Sequence, residues 1–246
     1  LINATSSLVD AFFFDRIIAV SEKLASEMTQ VSGRDKGKVL LIPNGIPIGD
    51  VDHDGKTGAL VATAGKVWSV GIVGRLVPLK RVDIFLKAAQ VLLSDETIAG
   101  QIRFSVVGGG PLQEELELMS KGLGLGEAVS FLGHVDNAES EIAKLNILVI
   151  CSDHEGLPMV ALEAMSAGVV VVSHAVGGLV SLLESECGYL SHSQTAESFA
   201  RLITSAIYEQ SHNQVAMNAL AKIRDVYSAK TMTHQYMACY QELTGA

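Results

Sequence analysis

The chain has 246 residues, 48% hydrophobic and 18% charged, with a net charge of −9 and a mean hydropathy of +0.33. That apolar content excludes a disordered chain and is enough for one large domain, or one domain with pieces of a second. The acidic balance, with a pI of about 5.2, argues against a nucleic-acid binder, which needs a basic face to displace counterions; it leaves open a small anionic ligand held by a few local cations.

The opening run "LINATSSLVDAFFFDR" has no basic region, so no signal peptide is read. It also lacks an initiator methionine, which reads as a processed, trimmed or partial chain. Asn3-Ala4-Thr5 matches a glycosylation sequon and, without a secretory signal, is read as chance. "RIIAVS" then reads as a strand, "EKLASEMTQ" as a helix and "VLLIPNG" as a second strand ending in a turn. Residues 46–66 are rich in Gly, Asp and Thr and read as a linker, so residues 1–45 are expected to lie outside the main sheet. The "DHD" at 52–54 imitates a metal-binding pattern but follows no strand, and no metal site is read there.

From about residue 68 to 190 the pattern is regular. The runs "WSVGIVG", "IRFSVVG", "AVSFLG", "NILVIC", "VVVVS" and "GYL" alternate with amphipathic stretches such as "VDIFLKAAQVLL", "LQEELELMSKGLG" and "AESEIAKL". Apolar strands separated by helices predict βαβ units, a Rossmann-like parallel sheet with helices on both faces. Ligands of such sheets sit at the carboxyl ends of the strands, so the loops after them are the places to look.

After the first of these strands comes "GRLVPLKR". Gly74 allows a tight turn, Pro78 suits the first turn of a helix, and Lys80 and Arg81 are then expected in that first turn. Cations there oppose the helix dipole by a few tenths of a kcal/mol or more, a cost that a bound anion reverses. Arg75 and Lys80 are therefore candidate diphosphate ligands; the alternative is a solvated pair at a helix start. After the next strand, Gly108, Gly109 and Gly110 leave a bare backbone, with Pro111 opening a helix. Gln113 stands where a G-x-G-x-x-G fingerprint needs glycine, which counts against a nicotinamide site. His134 follows the strand "SFLG" without a partner at useful spacing for catalysis, and its backbone can face a ligand base.

In "SDHEGLPMVALEAMSAG", residues 152–168, the strand before it puts Glu155 on a post-strand loop. Pro158 is expected at the first helical position, with Gly168 closing the helix. The amides of Gly156, Leu157 and Met159 then form an anion site at the helix start. Helix side chains lean toward the N-terminus, so Glu163 reaches back toward the same mouth. The helix carries apolar residues all round, which implies burial, and a buried Glu163 needs a hydrogen-bonding partner. The alternative reading is a dipole partner at Glu155 and an exposed charge at Glu163.

Past residue 190, "AESFARLITSAIYEQ", "QVAMNALAKIRDVY" and "TMTHQYMACYQELTG" read as three successive helices. No run reaches the roughly 18 apolar residues of a membrane span. Cys151, Cys187 and Cys239 form no CxxC, so neither a disulfide framework nor a zinc site is expected, and a cytoplasmic setting is the default.

In this order and spacing, "GRLVPLKR", "VVGGGPLQEEL", "FLGHV" and "EGLPMVALEAMSAGVVVVSHAVGG" resemble the retaining GT-B glycosyltransferases of family 4. "DRIIAVSE" and "LIPNGI" resemble the segments that close the family's acceptor domain before its interdomain linker. The resemblance implies the C-terminal, donor-binding half of a GT-B enzyme over residues 67–228, with a remnant of the acceptor domain over 1–45. It also implies a C-terminal helix over 229–246 that returns to that remnant. Arg75 and Lys80 would neutralise the diphosphate of a UDP-, GDP- or ADP-sugar, and Glu155 would hold sugar hydroxyls with the Gly156–Met159 backbone. Glu163 would hold the ribose and the region around His134 the base, with Gly74, Gly109 and Gly110 among the substrate-binding residues. No metal or other cofactor is implied, and the acceptor, lipid-linked or glycan, is unnamed. Two departures stand out. Val180-Ser181 occupy a place where the family often has Pro-Glu, and residues 1–45 are a small stand-in for a whole acceptor domain. The chain alone is therefore expected to bind donor weakly and transfer poorly; the alternative is a regulatory nucleotide-binding module or a donor subunit paired with a separate acceptor subunit.

Overall fold

In the computed structural model, residues 14–32, 38–48, 67–208 and 212–245 are described. Two short strands, β1 (Ile17–Ala19) and β2 (Val39–Leu41), pair in parallel around the helix α1 (Glu22–Ser32) and stand apart from the main sheet. The six apolar runs between Trp68 and Ser191 become β3 (Trp68–Val73), β4 (Ile102–Val107), β5 (Val129–Gly133), β6 (Ile147–Ile150), β7 (Val170–His174) and β8 (Tyr189–Ser191). They form one sheet in the order β5-β4-β3-β6-β7-β8, and every pairing is parallel.

Alternation along the strands feeds two cores. Ile147, Val149, Val170 and Val172 face one side, under α2 (Val82–Leu93) and α8 (Ala196–Tyr208). Leu148, Ile150 and Val171 face the other, under α6 (Met159–Ser166), α7 (Leu179–Leu183) and α9 (His212–Val226). A sheet covered on both faces explains why these strands read as unbroken apolar runs. The remaining helices are α3 (Glu96–Ala99), α4 (Gln113–Gly122), α5 (Ala138–Ile142) and α10 (Ala229–Thr244).

The strand order reverses between β3 and β6: β4 and β5 lie to one side, β7 and β8 to the other. The carboxyl ends of those two strands therefore diverge into helices on opposite faces and leave a crevice. The β1–β2 unit reaches its rim. Asn44 Nδ2 donates to the Leu157 carbonyl at 3.1 Å, and Ile46 pairs with Ser228 at the start of α10. At its other end α10 meets the same unit through an ion pair between Glu242 and Arg16.

Three local readings change. Lys80 and Arg81 are not in the first turn of α2. Pro78–Lys80 form a separate 3-10 turn, and Arg81 takes a left-handed backbone (φ 50°, ψ 44°) before α2 starts at Val82. Pro158 caps α6 from an extended conformation (φ −73°, ψ 129°), so the helix starts one residue later than expected. Pro111 likewise precedes α4 by a turn. Of the linker read over 46–66, Pro47 and Ile48 follow Ile46 in the described residues; Asn3, Asp52 and Asp54 fall outside them. Among the described residues no cluster of metal-binding side chains occurs, and no helix is long and apolar enough to cross a membrane.

Candidate functional site

At the switch point the crevice is lined by Gly74, Arg75 and Lys80 from the end of β3 and by Ser152 and Glu155 from the end of β6. Lys80 Nζ lies 2.6 Å from Glu155 Oε1, and the Glu155 side chain keeps only 10% of its exposure. Such a carboxylate needs its counter-charge; removing one partner strands the other. Lys80, which lies outside the first turn of α2, thus has Glu155 as its counter-charge in this structure. Arg75 is exposed and makes no side-chain hydrogen bond or ion pair among the described residues. Its guanidinium fork is available at the lip of the crevice.

Gly74 and Arg75 also line a second, adjoining cleft with Gly109 and His134. Of the three consecutive glycines Gly108 and Gly109 line this opening, and only Gly109 has room beside it for more than a hydrogen. A side chain at Gly108 (φ 124°) would meet the Gly74 carbonyl at 2.0 Å, and one at Gly110 would meet that of Leu76 at 2.4 Å. Protein backbone, rather than ligand, approaches those two positions. Leu76 N donates to the Gly109 carbonyl at 3.0 Å, stitching the loop after β4 to the loop after β3.

Beside Glu155, α6 opens without a side-chain cap or an acidic residue in its first turn. The amides of Gly156, Leu157 and Met159 donate no hydrogen bond among the described residues. An uncapped helix start with free N–H groups is an anion site. The Leu157 side chain is in the core while Met159 is exposed. Glu163 is half-buried on α6, and burial, followed by the charge of Glu139, raises its carboxyl above the ordinary range. No side-chain donor reaches it among the described residues.

Several residues at this edge escaped the sequence reading. The Gly177-Gly178 turn before α7 packs on the Glu155 loop, with the Gly178 amide donating to the Gly156 carbonyl. Arg81 hydrogen-bonds Asp83 and Asp153. Burial pushes Asp83 upward, but the hydrogen bonds and charge of Arg81 outweigh it and leave that carboxyl below its ordinary range. The adjacency of Arg81 to Lys80, and a glycine pair at the carboxyl edge of β7, were the available signals.

Six parallel strands with a cation and a carboxylate paired at the switch point define a Rossmann-like α/β unit with a charged crevice. The sequence profile of Glycosyl transferases group 1 matches residues 60–222, and the chain belongs to that family. A D-inositol 3-phosphate glycosyltransferase of Actinosynnema mirum is 28% identical over 240 residues, which is 92% of this chain and 57% of the relative. Another, of Geodermatophilus obscurus, is 30% identical over 175 residues, 67% of this chain and 39% of the relative. The chain therefore spans only part of the length of these relatives. The crystal structure of HepE of Anabaena in complex with UDP matches with a TM-score of 0.82 at 22% identity, over 98% of this chain and 68% of its own. The apo form of WaaB, a lipopolysaccharide outer core galactosyltransferase, matches with a TM-score of 0.75 at 20% identity, over 93% of this chain and 62% of its own. The fold is that of the parallel-sheet unit of the GT-B glycosyltransferases.

Proposed function

We propose that the chain is the nucleotide-sugar-binding half of a retaining glycosyltransferase, of hexosyl- or N-acetylhexosaminyl-transferase type. The observation that carries this reading is the Lys80–Glu155 pair at the switch point, with Arg75 free beside it and the uncapped start of α6 next to it. Arg75 and Lys80 take the diphosphate. Glu155, helped by the Gly156, Leu157 and Met159 amides, accepts from donor-sugar hydroxyls. Glu163 accepts from the ribose, and the cleft of Gly109 and His134 receives the base. The leaving group of glycosyl transfer is a nucleoside diphosphate, so fixed cations that meet its developing charge lower the barrier most. No metal enters this scheme. UDP-sugars are the first donors to try, because HepE was solved with UDP-glucose; GDP- and ADP-sugars follow. The acceptor is a glycan or lipid-linked molecule.

Residues 67–228 form the donor unit in this reading, while β1, α1 and β2 belong to the acceptor half and α10 packs back onto them. Alone, the chain binds donor weakly and transfers little, because a GT-B site closes between two halves. Three unpaired, buried thiols fit a cytoplasmic setting.

Calorimetric titration with UDP, GDP, ADP and their sugars tests the reading. Failure of all of them to bind at millimolar concentration, with the fold intact by circular dichroism, sinks it. Lys80→Ala should weaken UDP binding by about 1–3 kcal/mol. A Lys80→Ala/Glu155→Gln double variant avoids leaving a buried carboxylate unpaired; wild-type affinity in both variants removes Lys80 from the site.

A further inference from the structure

Two ion pairs join the turn after β3 to the loop after β6. Lys80 meets Glu155 on the crevice side at 2.6 Å. The next residue, Arg81, meets Asp153 through Nη1 at 3.2 Å, and the Asp153 amide donates to the Leu79 carbonyl at 2.9 Å. The same Asp153 oxygen accepts from Gln194 Nε2 at 2.8 Å, and that amide group also donates to the Cys151 carbonyl at 2.7 Å. Gln194 lies in the loop after β8, so the network ties together the carboxyl-end loops of β3, β6 and β8. None of Arg81, Asp153 or Gln194 lines the crevice that Lys80 and Glu155 line.

Arg81 reaches this position from a strained backbone. Its left-handed φ of 50° is uncommon for a residue with a Cβ, and Asp83 steadies its guanidinium at 3.0 and 3.2 Å. The Arg81–Asp153 pair is too exposed, at 33% and 44%, to add much to folding stability. What it adds is geometry. When a diphosphate claims the Lys80 ammonium and sugar hydroxyls claim Glu155, the crevice-side pair opens, and the second pair contains no group that the ligand claims.

We propose that Arg81, Asp153 and Gln194 are positioning residues, a clamp behind the crevice that keeps Lys80 and Glu155 at ligand-binding spacing after the donor has parted them. The proposal rests on the donor-site reading. It is tested by titrating the full chain and its variants with UDP, following thermal unfolding alongside. Arg81→Gly relieves the left-handed backbone and deletes the clamp, so the protein stays folded while UDP affinity falls about three- to thirtyfold.

Loss of a nearby cation alone would also weaken binding, and Asp153→Ala separates the two causes. Removing an anion beside a diphosphate site and freeing Arg81 should tighten UDP binding if charge is all that matters. The clamp requires the opposite, a weakening, with the Arg81→Gly/Asp153→Ala double variant no worse than the weaker single variant. Gln194→Ala, which changes no charge, should weaken binding in the same direction by a smaller factor and serves if Asp153→Ala unfolds. Unchanged or tighter UDP binding in Asp153→Ala, or unchanged binding in Gln194→Ala if that variant has to stand in, overturns the clamp. If Lys80→Ala also leaves UDP binding unchanged, the donor-site reading has failed; if Lys80→Ala weakens it, only the clamp has.

Discussion

At the scale of single residues, Glu163 carries a measurable penalty. It is half-buried without a donor among the described residues, and its carboxyl is raised by burial and by Glu139. The fold therefore favours the neutral acid. Below the ordinary carboxylate range both folded and unfolded chains hold the proton and nothing is lost. As pH rises, the unfolded chain releases its proton first, and the fold loses stability until the raised value is passed. Glu163→Gln is expected to stabilise the protein at pH 8 by a few tenths of a kcal/mol, about a degree in Tm, because water screens a half-exposed group. The gain should vanish near pH 3. An undiminished gain in acid would trace it to packing instead. Ribose hydroxyls donating to the ionised carboxylate would offset the same penalty, so a saturating nucleotide should shrink the difference between variant and wild type.

Elements were more legible than the contacts between them. The strands from β3 to β8 stood out because burial on both faces makes unbroken apolar runs, and the helices because their period is 3.6. That reasoning also placed Gly74, Arg75 and Glu155 on post-strand loops, but put Lys80 in the first turn of α2 rather than in the turn before it. It left open which loops meet, because Lys80 and Glu155 are 75 positions apart and no local pattern encodes their pairing. The 3-10 turn at Pro78–Lys80 was hidden too, since the left-handed Arg81 that ends it is held by Asp83 and Asp153 rather than by its own propensity. The turn before α7 shows what such loop-to-loop fits are worth. A Cβ on Gly177 (φ 56°) would lie 1.6 Å from the Glu155 carbonyl oxygen. Gly177→Ala should cost about 2 kcal/mol or more in urea unfolding, from backbone strain and a displaced loop. It should also weaken UDP-glucose more than UDP if, as proposed, the shifted loop carries the carboxylate that faces the sugar; equal losses for both ligands would place the damage elsewhere.

Across the whole molecule, the two cores share one sheet, with Ile147 and Val149 serving one face and Leu148 and Ile150 the other. Neither core can melt without exposing strands that the other also uses, so a single cooperative unfolding transition is expected. A ligand bound only to the folded state adds stability by mass action, about 2.7 kcal/mol at a hundred times its Kd. For a chain of this size that is a rise of roughly 5–10 °C in Tm. Scanning thermal unfolding with increasing UDP checks both points: two separated transitions would break the shared-sheet argument, and a Tm indifferent to UDP would count against the crevice as its site.

The reversal of strand order between β3 and β6 also sets when the crevice can exist. Its two walls come from halves of the chain made at different times, and Lys80 has no Glu155 to meet until the intervening residues have been synthesised and laid down as strands and helices. Closing so long a loop costs entropy that only the completed sheet returns. No fragment of the chain that stops short of Glu155 therefore offers the crevice. A nucleotide that binds there would hold the finished fold together, yet would have nothing to grip before both walls exist.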